Sequence, residues 1–478
     1  MTATLRHDRL FIDGAWTGPG TAETIEVIDS TDERAIGAAP AATAADAERA
    51  ARAARDAFTG WAATTGEERA RSLEAAAEHL TGRAAELAEL ITRETGMPLA
   101  HSRAVQVELP IGNLREAARL ARAGVADEEI GHSLVVREPA GAVACVTPWN
   151  FPLHQSIAKV AFALAAGCTV VLKPSEVAPL DAFVLAEALD RAGLPPGVFN
   201  LVTGTGPEAG EALAASPDID MVSFTGSTAA GRRVAALGAG TVKRIALELG
   251  GKSANILLDD LDGDALDAAV LNAVRRAYGN SGQTCVALTR LLVPAARLAE
   301  IEERVTEVVR DLVVGDPFDE RTDLGPLASA AQRERVQGWI RTGAGEGARL
   351  LTGGPGAPGG LDRGFYVRPT VFSGVRPGMR IAQEEIFGPV LSILAYRTED
   401  EAVEIANGVR YGLSGAVSSA DPGRAERVAR RLRTGQVDVN GAPFNPRAPL
   451  GGYKESGIGR EYGRYGFEEF LEIKSIQR

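Results

Sequence analysis

The hydrophobic pattern of the chain changes period along its length. Leu10-Phe11-Ile12 and Ala15-Trp16-Thr17 flank Asp13-Gly14, a two-residue turn signal, and predict a β-hairpin. Ala-rich amphipathic repeats then predict helices over 44–61, 66–95 and 102–123, with Gly96 placed to cap the second. The Ala/Glu/Arg-rich stretch 66–90 holds no sustained heptad, so it reads as packed surface helix and not as coiled coil. From residue 141 short β-rich runs take over, at 143–147, 169–172, 199–202, 221–224 and 244–248. Helical patterns over 152–166, 179–192 and 207–215 separate the first four, and one over 228–237 leads to the fifth. This alternation predicts right-handed crossovers and a parallel sheet, hence an α/β fold. A second α/β rhythm begins near Ala254, with strands at 254–258, 289–293, 390–396 and 413–418. Its helices are predicted over 264–277, 296–313, 327–344, 399–406 and 421–432. The Gly/Pro-rich stretch 353–360 reads as a surface loop, and no long internal repeat is apparent.

The length of 478 residues suggests roughly three domain-sized units. With 45% hydrophobic and 24% charged residues, a wholly disordered chain is excluded. The net charge of -12 argues against a nucleic-acid partner, whose phosphates need a basic face. Three cysteines, Cys145, Cys168 and Cys285, show no CxxC spacing, so neither a disulfide framework nor a structural zinc site is expected. That usage fits a reducing compartment. The N-terminus, Met1 to His7, has no apolar signal core. The longest apolar stretch, 160–172, falls short of the ~20 residues that span a bilayer. A cytoplasmic protein with neither metal nor membrane partner is the expectation.

Parallel sheets bind ligands beyond the carboxyl ends of their strands, so chemistry is sought there. The first strand runs into Thr147-Pro148-Trp149-Asn150-Phe151-Pro152, where two prolines bracket an Asn. A fixed Asn amide suits an oxyanion; a helix cap is the plainer use. After the second strand, Lys173-Pro174-Ser175-Glu176 offers groups for ribose hydroxyls, or simply a solvated ion pair. Two glycine turns follow, Gly204 to Gly210 and Gly226 to Gly231; Ser227 and Thr228 can cap a helix whose N–H groups face a phosphate. Glu248 precedes Gly250-Gly251-Lys252 and is either a general base or the partner of Lys252. Cys145 and Cys168 lie in apolar runs and read as core. Cys285 follows Gly279-Asn280-Ser281-Gly282-Gln283-Thr284, the setting of an accessible thiolate. None of the five histidines neighbours Cys285 in sequence, and a Cys-His hydrolase would most readily recruit His154. Asp259 to Asp264 looks calcium-like but lacks EF-hand spacing, and reads as negative charge at a helix start.

Seven stretches, in this order and spacing, resemble the NAD(P)-dependent aldehyde dehydrogenase superfamily over almost the whole chain. They are Pro148 to Pro152, Lys173 to Glu176, Phe224 to Ser227, Leu247 to Lys252, Gly282 to Cys285, Glu384 to Val390 and Pro449 to Gly457. The resemblance implies a Rossmann-like cofactor domain (1–122 and 141–251), a second α/β catalytic domain (252–450) and a small β oligomerisation element (123–140 and 451–478). It implies Cys285 as nucleophile, Glu248 as general base, Asn150 as oxyanion donor, and Lys159 and Glu461 as supports for proton movement. It implies NAD, with NADP left open, held by Thr147, Pro148, Trp149, Lys173, Ser175, Glu176, Gly206, Gly210, Phe224, Gly226, Ser227, Gly231, Leu249, Gly250, Glu385 and Phe387. The implied reaction is hydrolytic oxidation of an aldehyde to a carboxylic acid through a cysteine thiohemiacetal and thioester, in a homodimer or homotetramer. The alternative is a cysteine esterase or acyl-transfer enzyme on the same fold. Gln155 and Ala158 leave space and polarity near Asn150, and the proline-rich loop 441–447 carries Arg447, so an acidic or polar aldehyde is conceivable.

Overall fold

The computed structural model describes residues 5–478; of the N-terminal stretch read for a signal, residues 1–4 lie outside it. Two sheets organise the chain. The first has eight strands in the order 457–458, 244–248, 221–225, 142–146, 169–173, 199–201, 10–12 and 15–17. Its five central strands are parallel, and the hairpin at 10–17 adds an antiparallel edge. The hairpin turn is as predicted, with Asp13 and Gly14 at φ 55° and 70°.

Each central strand is buried on both faces, which is why it reads as a continuous apolar run. In Ala142–Val146, Val143 and Cys145 enter one core while Ala142, Ala144 and Val146 enter the other. Each fully buried Val or Leu contributes about 1.5–3 kcal/mol. Cys145 and Cys168 are core residues, as expected. The second sheet has seven strands, ordered 349–352, 370–373, 390–396, 290–294, 254–257, 414–418 and 436–439, parallel except at 349–352. Smaller sheets pair 5–6, 35–40 and 24–28, and pair 471–477 with 133–139 and 128–130.

The helices follow their caps. Thr43 with Asp46, and Thr65 with Glu68, form capping boxes at the starts of Ala44–Ala62 and Gly66–Gly82. The single helix predicted over 66–95 is two, divided at Arg83, whose guanidinium binds Glu86 and Glu187. Gly96, at φ 76°, ends the second; a Cβ there would lie 2.3 Å from the Pro326 carbonyl. The helix predicted from 102 opens with a π-helical stretch, Ser102–Glu108, before Leu109–Ala123. The boundary expected at 451 does not match the sheets. Residues 457–458 extend the first sheet beside 244–248, and only 471–477 joins 133–139. Leu249 N–H donates to the Ser456 carbonyl, which ties this segment to the strand bearing Glu248. No helix among the described residues is long and apolar enough to cross a membrane.

Candidate active site

Strands Ala142–Val146 and Met221–Thr225 are neighbours from opposite halves of the first sheet, so the loops leaving them open a crevice. A cavity of about 120 Å³ lies there. Pro148, Trp149 and Asn150 line it from one loop, Gly226 and Ser227 from the other, and Glu248, Leu249 and Gly250 from the next strand end. Cys285, Glu385 and Phe387 close it from the second α/β unit. Missing side chains let its walls pack closely. A Cβ on Gly226 would lie 2.6 Å from the Phe224 ring, one on Gly231 2.4 Å from Leu249, and one on Gly250 2.3 Å from the Glu385 carboxylate. Gly251 N–H holds that carboxylate at 3.0 Å. Ser227 accepts from Ala230 N–H at 3.2 Å and caps Thr228–Gly238, so a helix N-terminus opens on the cavity wall. Thr228 instead donates to the Glu455 carbonyl. Trp149 and Phe387 meet edge to face, with ring centroids 5.4 Å apart. On the neighbouring strand end, buried Lys173 pairs with Glu176 at 3.1 Å, and a Cβ on Gly210 would lie 4.0 Å from the Lys173 side chain. Gly206 begins the π-helical turn to Gly210, and Ser175 accepts from Val177 N–H. Thr147 is buried against Ser156. A glycine cradle, a helix N-terminus and a Lys/Glu pair fit a dinucleotide: phosphate at the helix, ribose hydroxyls at the carboxylates.

The loop before Cys285 is fixed, not flexible. Asn280, Ser281 and Gly282 stand in succession at φ 55°, 53° and 74°. A Cβ on Gly282 would lie 2.2 Å from the Gly388 carbonyl. Gln283 accepts from Ala328 N–H at 2.9 Å and donates to the Asn280 carbonyl at 3.2 Å, and Ser281 donates to the Gly325 carbonyl at 2.7 Å. Asn150 is locked to this loop. Its amide donates to the Gln283 carbonyl at 2.9 Å, and its own carbonyl accepts from Asn280 and Gln106. The second N–H of the Asn150 amide has no protein acceptor, and Asn150 and Cys285 line the same cavity. Phe151, without a side-chain cap bond, starts the following helix, so Asn150 is not its cap.

Cys285 also lines a second cavity, of about 340 Å³. Its walls are largely apolar, from Val105, Leu109, Phe151, Phe444 and Leu450, with His101, His154 and Arg275 among them. Arg447 lies elsewhere, 3.6 Å from Glu116. Cys285 and Gln155 thus line both cavities.

Electrostatics revise the expectation of a ready thiolate. Burial, and then the carboxylates of Glu385, Glu248 and Glu461, push the Cys285 thiol up to about 12. Glu248 is raised well above the ordinary carboxylate range, chiefly by burial and next by Glu461, with Lys159 opposing. Its Oε1 has no protein partner, and neither has the Lys252 ammonium, so the two do not pair. Lys159 instead makes a buried ion pair with Glu461.

Comparison with known proteins agrees with this layout. The model of the aldehyde dehydrogenase family matches residues 16–476. A 3-succinoylsemialdehyde-pyridine dehydrogenase from Pseudomonas sp. is 51% identical over 476 residues, 98% of each chain. The chain belongs to the aldehyde dehydrogenase family. Among solved structures, an alanine mutant of aldehyde dehydrogenase C from Pseudomonas syringae, in complex with NAD+ and octanal, superposes with a TM-score of 0.96 at 50% identity. The superposition covers 100% of this chain and 97% of that one. A Mycobacterium tuberculosis aldehyde dehydrogenase complexed with NAD+ gives 0.96 at 44% identity, covering 100% and 99%.

In this aldehyde dehydrogenase the structure brings Cys285, Glu248, Asn150, Glu385 and Phe387 to one cavity, while Lys173, Glu176, Gly206 and Gly210 gather at the adjoining strand ends. Sequence reasoning missed His101, Arg275 and Tyr462 as walls of the larger cavity. The proximity of Arg275 to the Cys285 loop in sequence was the one available signal.

Proposed function

We propose that the enzyme oxidises an aldehyde to a carboxylic acid with NAD as the acceptor, by covalent catalysis at Cys285 and hydrolysis through Glu248. The carrying observation is that Cys285 lines both a glycine-containing cavity and a larger, mostly apolar one. An aldehyde approaching from the apolar side presents its carbonyl carbon to the sulfur. The thiol proton passes to the Glu248 carboxylate as the C–S bond forms, and the carbonyl oxygen becomes an oxyanion. The free N–H of Asn150 and the backbone N–H of Cys285 are the donors assigned to that oxyanion. NAD, bound in the glycine-lined cavity, supplies the hydride acceptor. Loss of hydride from the carbon leaves a thioester on Cys285. Glu248, its proton affinity raised by burial and by Glu461, takes a proton from water, which attacks the thioester and frees the acid and the thiol. Lys159 and Glu461 orient the carboxylate and pass its proton on. The Glu176 carboxylate, set against Lys173, suits a free ribose 2′-hydroxyl better than a 2′-phosphate, so NAD is preferred over NADP. Aldehydes of the kinds named for the relatives, a pyridine-bearing semialdehyde and octanal, are the first to try.

Acyl transfer without redox has less support, because His154, the histidine the sequence offered as partner of Cys285, is hydrogen-bonded to Tyr462. Rapid mixing of aldehyde and NAD tests the reading. Glu248→Gln is expected to release one equivalent of NADH per site and then stall; Cys285→Ala is expected to bind NAD and release none. Full steady turnover by the Gln variant would remove Glu248 from the hydrolytic step.

A further inference from the structure

Tyr462 is fully buried and stands at φ 69° and ψ 151°, a region of backbone space that is essentially reserved for glycine. Such a residue persists only where its surroundings over-determine it, and what holds it points to its use. On one side, Glu461 and Leu450 exchange backbone hydrogen bonds at 2.7 and 2.9 Å. On the other, the Tyr462 carbonyl accepts from Gly466 N–H at 2.9 Å. Gly463, at φ 57°, packs against the Arg447 carbonyl, which a Cβ would meet at 2.1 Å. The side chain supplies the remaining hold. Its ring meets Phe444 edge to face with centroids 5.7 Å apart, and its hydroxyl is hydrogen-bonded to Nε2 of buried His154 at 2.6 Å. The preceding residue serves the base. Glu461 makes a buried ion pair with Lys159, and of the charges around Glu248 these two bear on it most. Leu450, bonded to Glu461, is followed by Gly451, where a Cβ would lie 2.9 Å from Glu248 Oε1. His154 and Lys159 belong to one helix, Pro152–Ala166, and lie about 7.5 Å apart along its axis. Adjacent residues 461 and 462 are thus tied to a single helix at two points: one tie is the ion pair beside Glu248, and the other holds the backbone that carries it.

We propose that the Tyr462–His154 hydrogen bond is a positioning clamp for hydrolysis: it holds the strained backbone at 462 so that the Glu461 carboxylate stays on Lys159, beside Glu248. The proposal rests on the reading of Glu248 as the base that deacylates Cys285. Glu248 starts the cycle ionised and takes the proton of the sulfur. It must give that proton up before it can take one from water, and Glu461 with Lys159 is the route by which it leaves. Without the Tyr462 hydroxyl, rotation about φ of residue 462 relieves the strain and turns the 461–462 peptide, and the Glu461 carboxylate turns with it. The thioester still forms, because the first proton transfer needs only Glu248; its hydrolysis slows. Tyr462 and His154 are positioning residues, acting through Glu461.

The experiment mixes octanal and NAD rapidly with the wild-type enzyme, Tyr462→Phe, His154→Leu and the double variant. The first turnover of NADH gives the acylation rate constant, and mass spectrometry of quenched samples follows loss of octanoyl-Cys285 and gives the deacylation rate constant. The ratio of acylation to deacylation is expected to rise about tenfold in either single variant, part of the roughly 10²–10⁴ that a positioned acid–base group contributes. The double variant is expected to match the singles, since each already breaks the same bond. A merely structural role for the pair would lower both rate constants, or the melting temperature, and leave their ratio alone. A ratio within about twofold of wild type in Tyr462→Phe, or a double variant whose effect is the product of the singles, would overturn the clamp. Acyl-enzyme that accumulates in Glu248→Gln but not in Tyr462→Phe would overturn the clamp and leave the hydrolytic reading standing. Full steady turnover by Glu248→Gln would overturn that reading and the clamp together.

Discussion

Replacing Asn150 by Ala separates its catalytic role from its structural one. The side chain makes one protein hydrogen bond, to the Gln283 carbonyl at 2.9 Å. That carbonyl also accepts from Asn280 at 3.3 Å, so the substitution does not strand it. The other anchors, from Gln106 and Asn280, reach the backbone carbonyl of residue 150 and survive the change. The loss in folding stability is therefore that of one replaceable hydrogen bond, about 1 kcal/mol. In a chain of this length that lowers Tm by no more than about 2 °C. Under the proposed mechanism the loss in the transition state is larger, because there the remaining N–H would meet charge that develops only on the oxyanion. Removing one oxyanion donor costs about 2.7–4 kcal/mol, or 10²–10³ in kcat. The assay is steady-state NADH formation from octanal, with Tm measured on the same samples and iodoacetamide alkylation confirming an intact sulfur. A kcat within about fivefold of wild type at unchanged Tm would refute the oxyanion assignment. A collapse of Tm by tens of degrees would show that the amide holds the cysteine loop together and would refute the separation of roles.

Two further outcomes follow from the site. Because the Cys285 thiol is pushed up to about 12, its thiolate fraction at pH 7 is small and grows with pH; alkylation of the enzyme without cofactor is expected to rise about tenfold per unit from pH 7 to 10, and a plateau near pH 8 would contradict the burial and carboxylate account. Gly250→Ala places a methyl 2.3 Å from the Glu385 carboxylate, which must swing away from Gly251 N–H; the Kd for NAD, measured by calorimetry, is expected to rise about tenfold, and an unchanged value would detach Glu385 from the cofactor.

Much of this arrangement is legible in the chain because parallel strands announce themselves as short apolar runs, and function sits just past their ends. Asn150, Glu248 and the two glycine turns fall at such ends. What the pattern hides is structure made by distant partners. Ala35–Pro40 has the composition of a loop; it is a strand because Leu5–Arg6 and Thr24–Ile28 flank it, and Gly37 admits the Leu5 carbonyl. Gly279 to Thr284 reads as flexible on its glycines, yet three consecutive residues at positive φ and a mesh of amide bonds make it rigid. His154 and Tyr462 lie 308 residues apart, and nothing local links them. His101 reaches the larger cavity at the start of a π-helical stretch that the helical period did not reveal.

The acidic surroundings of Cys285 look adverse to a nucleophile, since three carboxylates oppose the thiolate. The same burial that raises the thiol also raises Glu248, and Glu461 adds to both. Common shifts cancel in a difference. A proton passing from sulfur to carboxylate moves one negative charge from one site to the other within the same negative surroundings, so it costs less than either absolute displacement suggests. A proton lost to bulk water instead adds a net charge to the cavity and meets the full penalty. Lys159, ion-paired with Glu461, supplies the nearby positive charge that lowers Glu248 and also limits the repulsion from Glu461. Replacing Glu461 by a neutral residue would therefore act on both proton sites at once, whereas a change at Asn150 would act on neither.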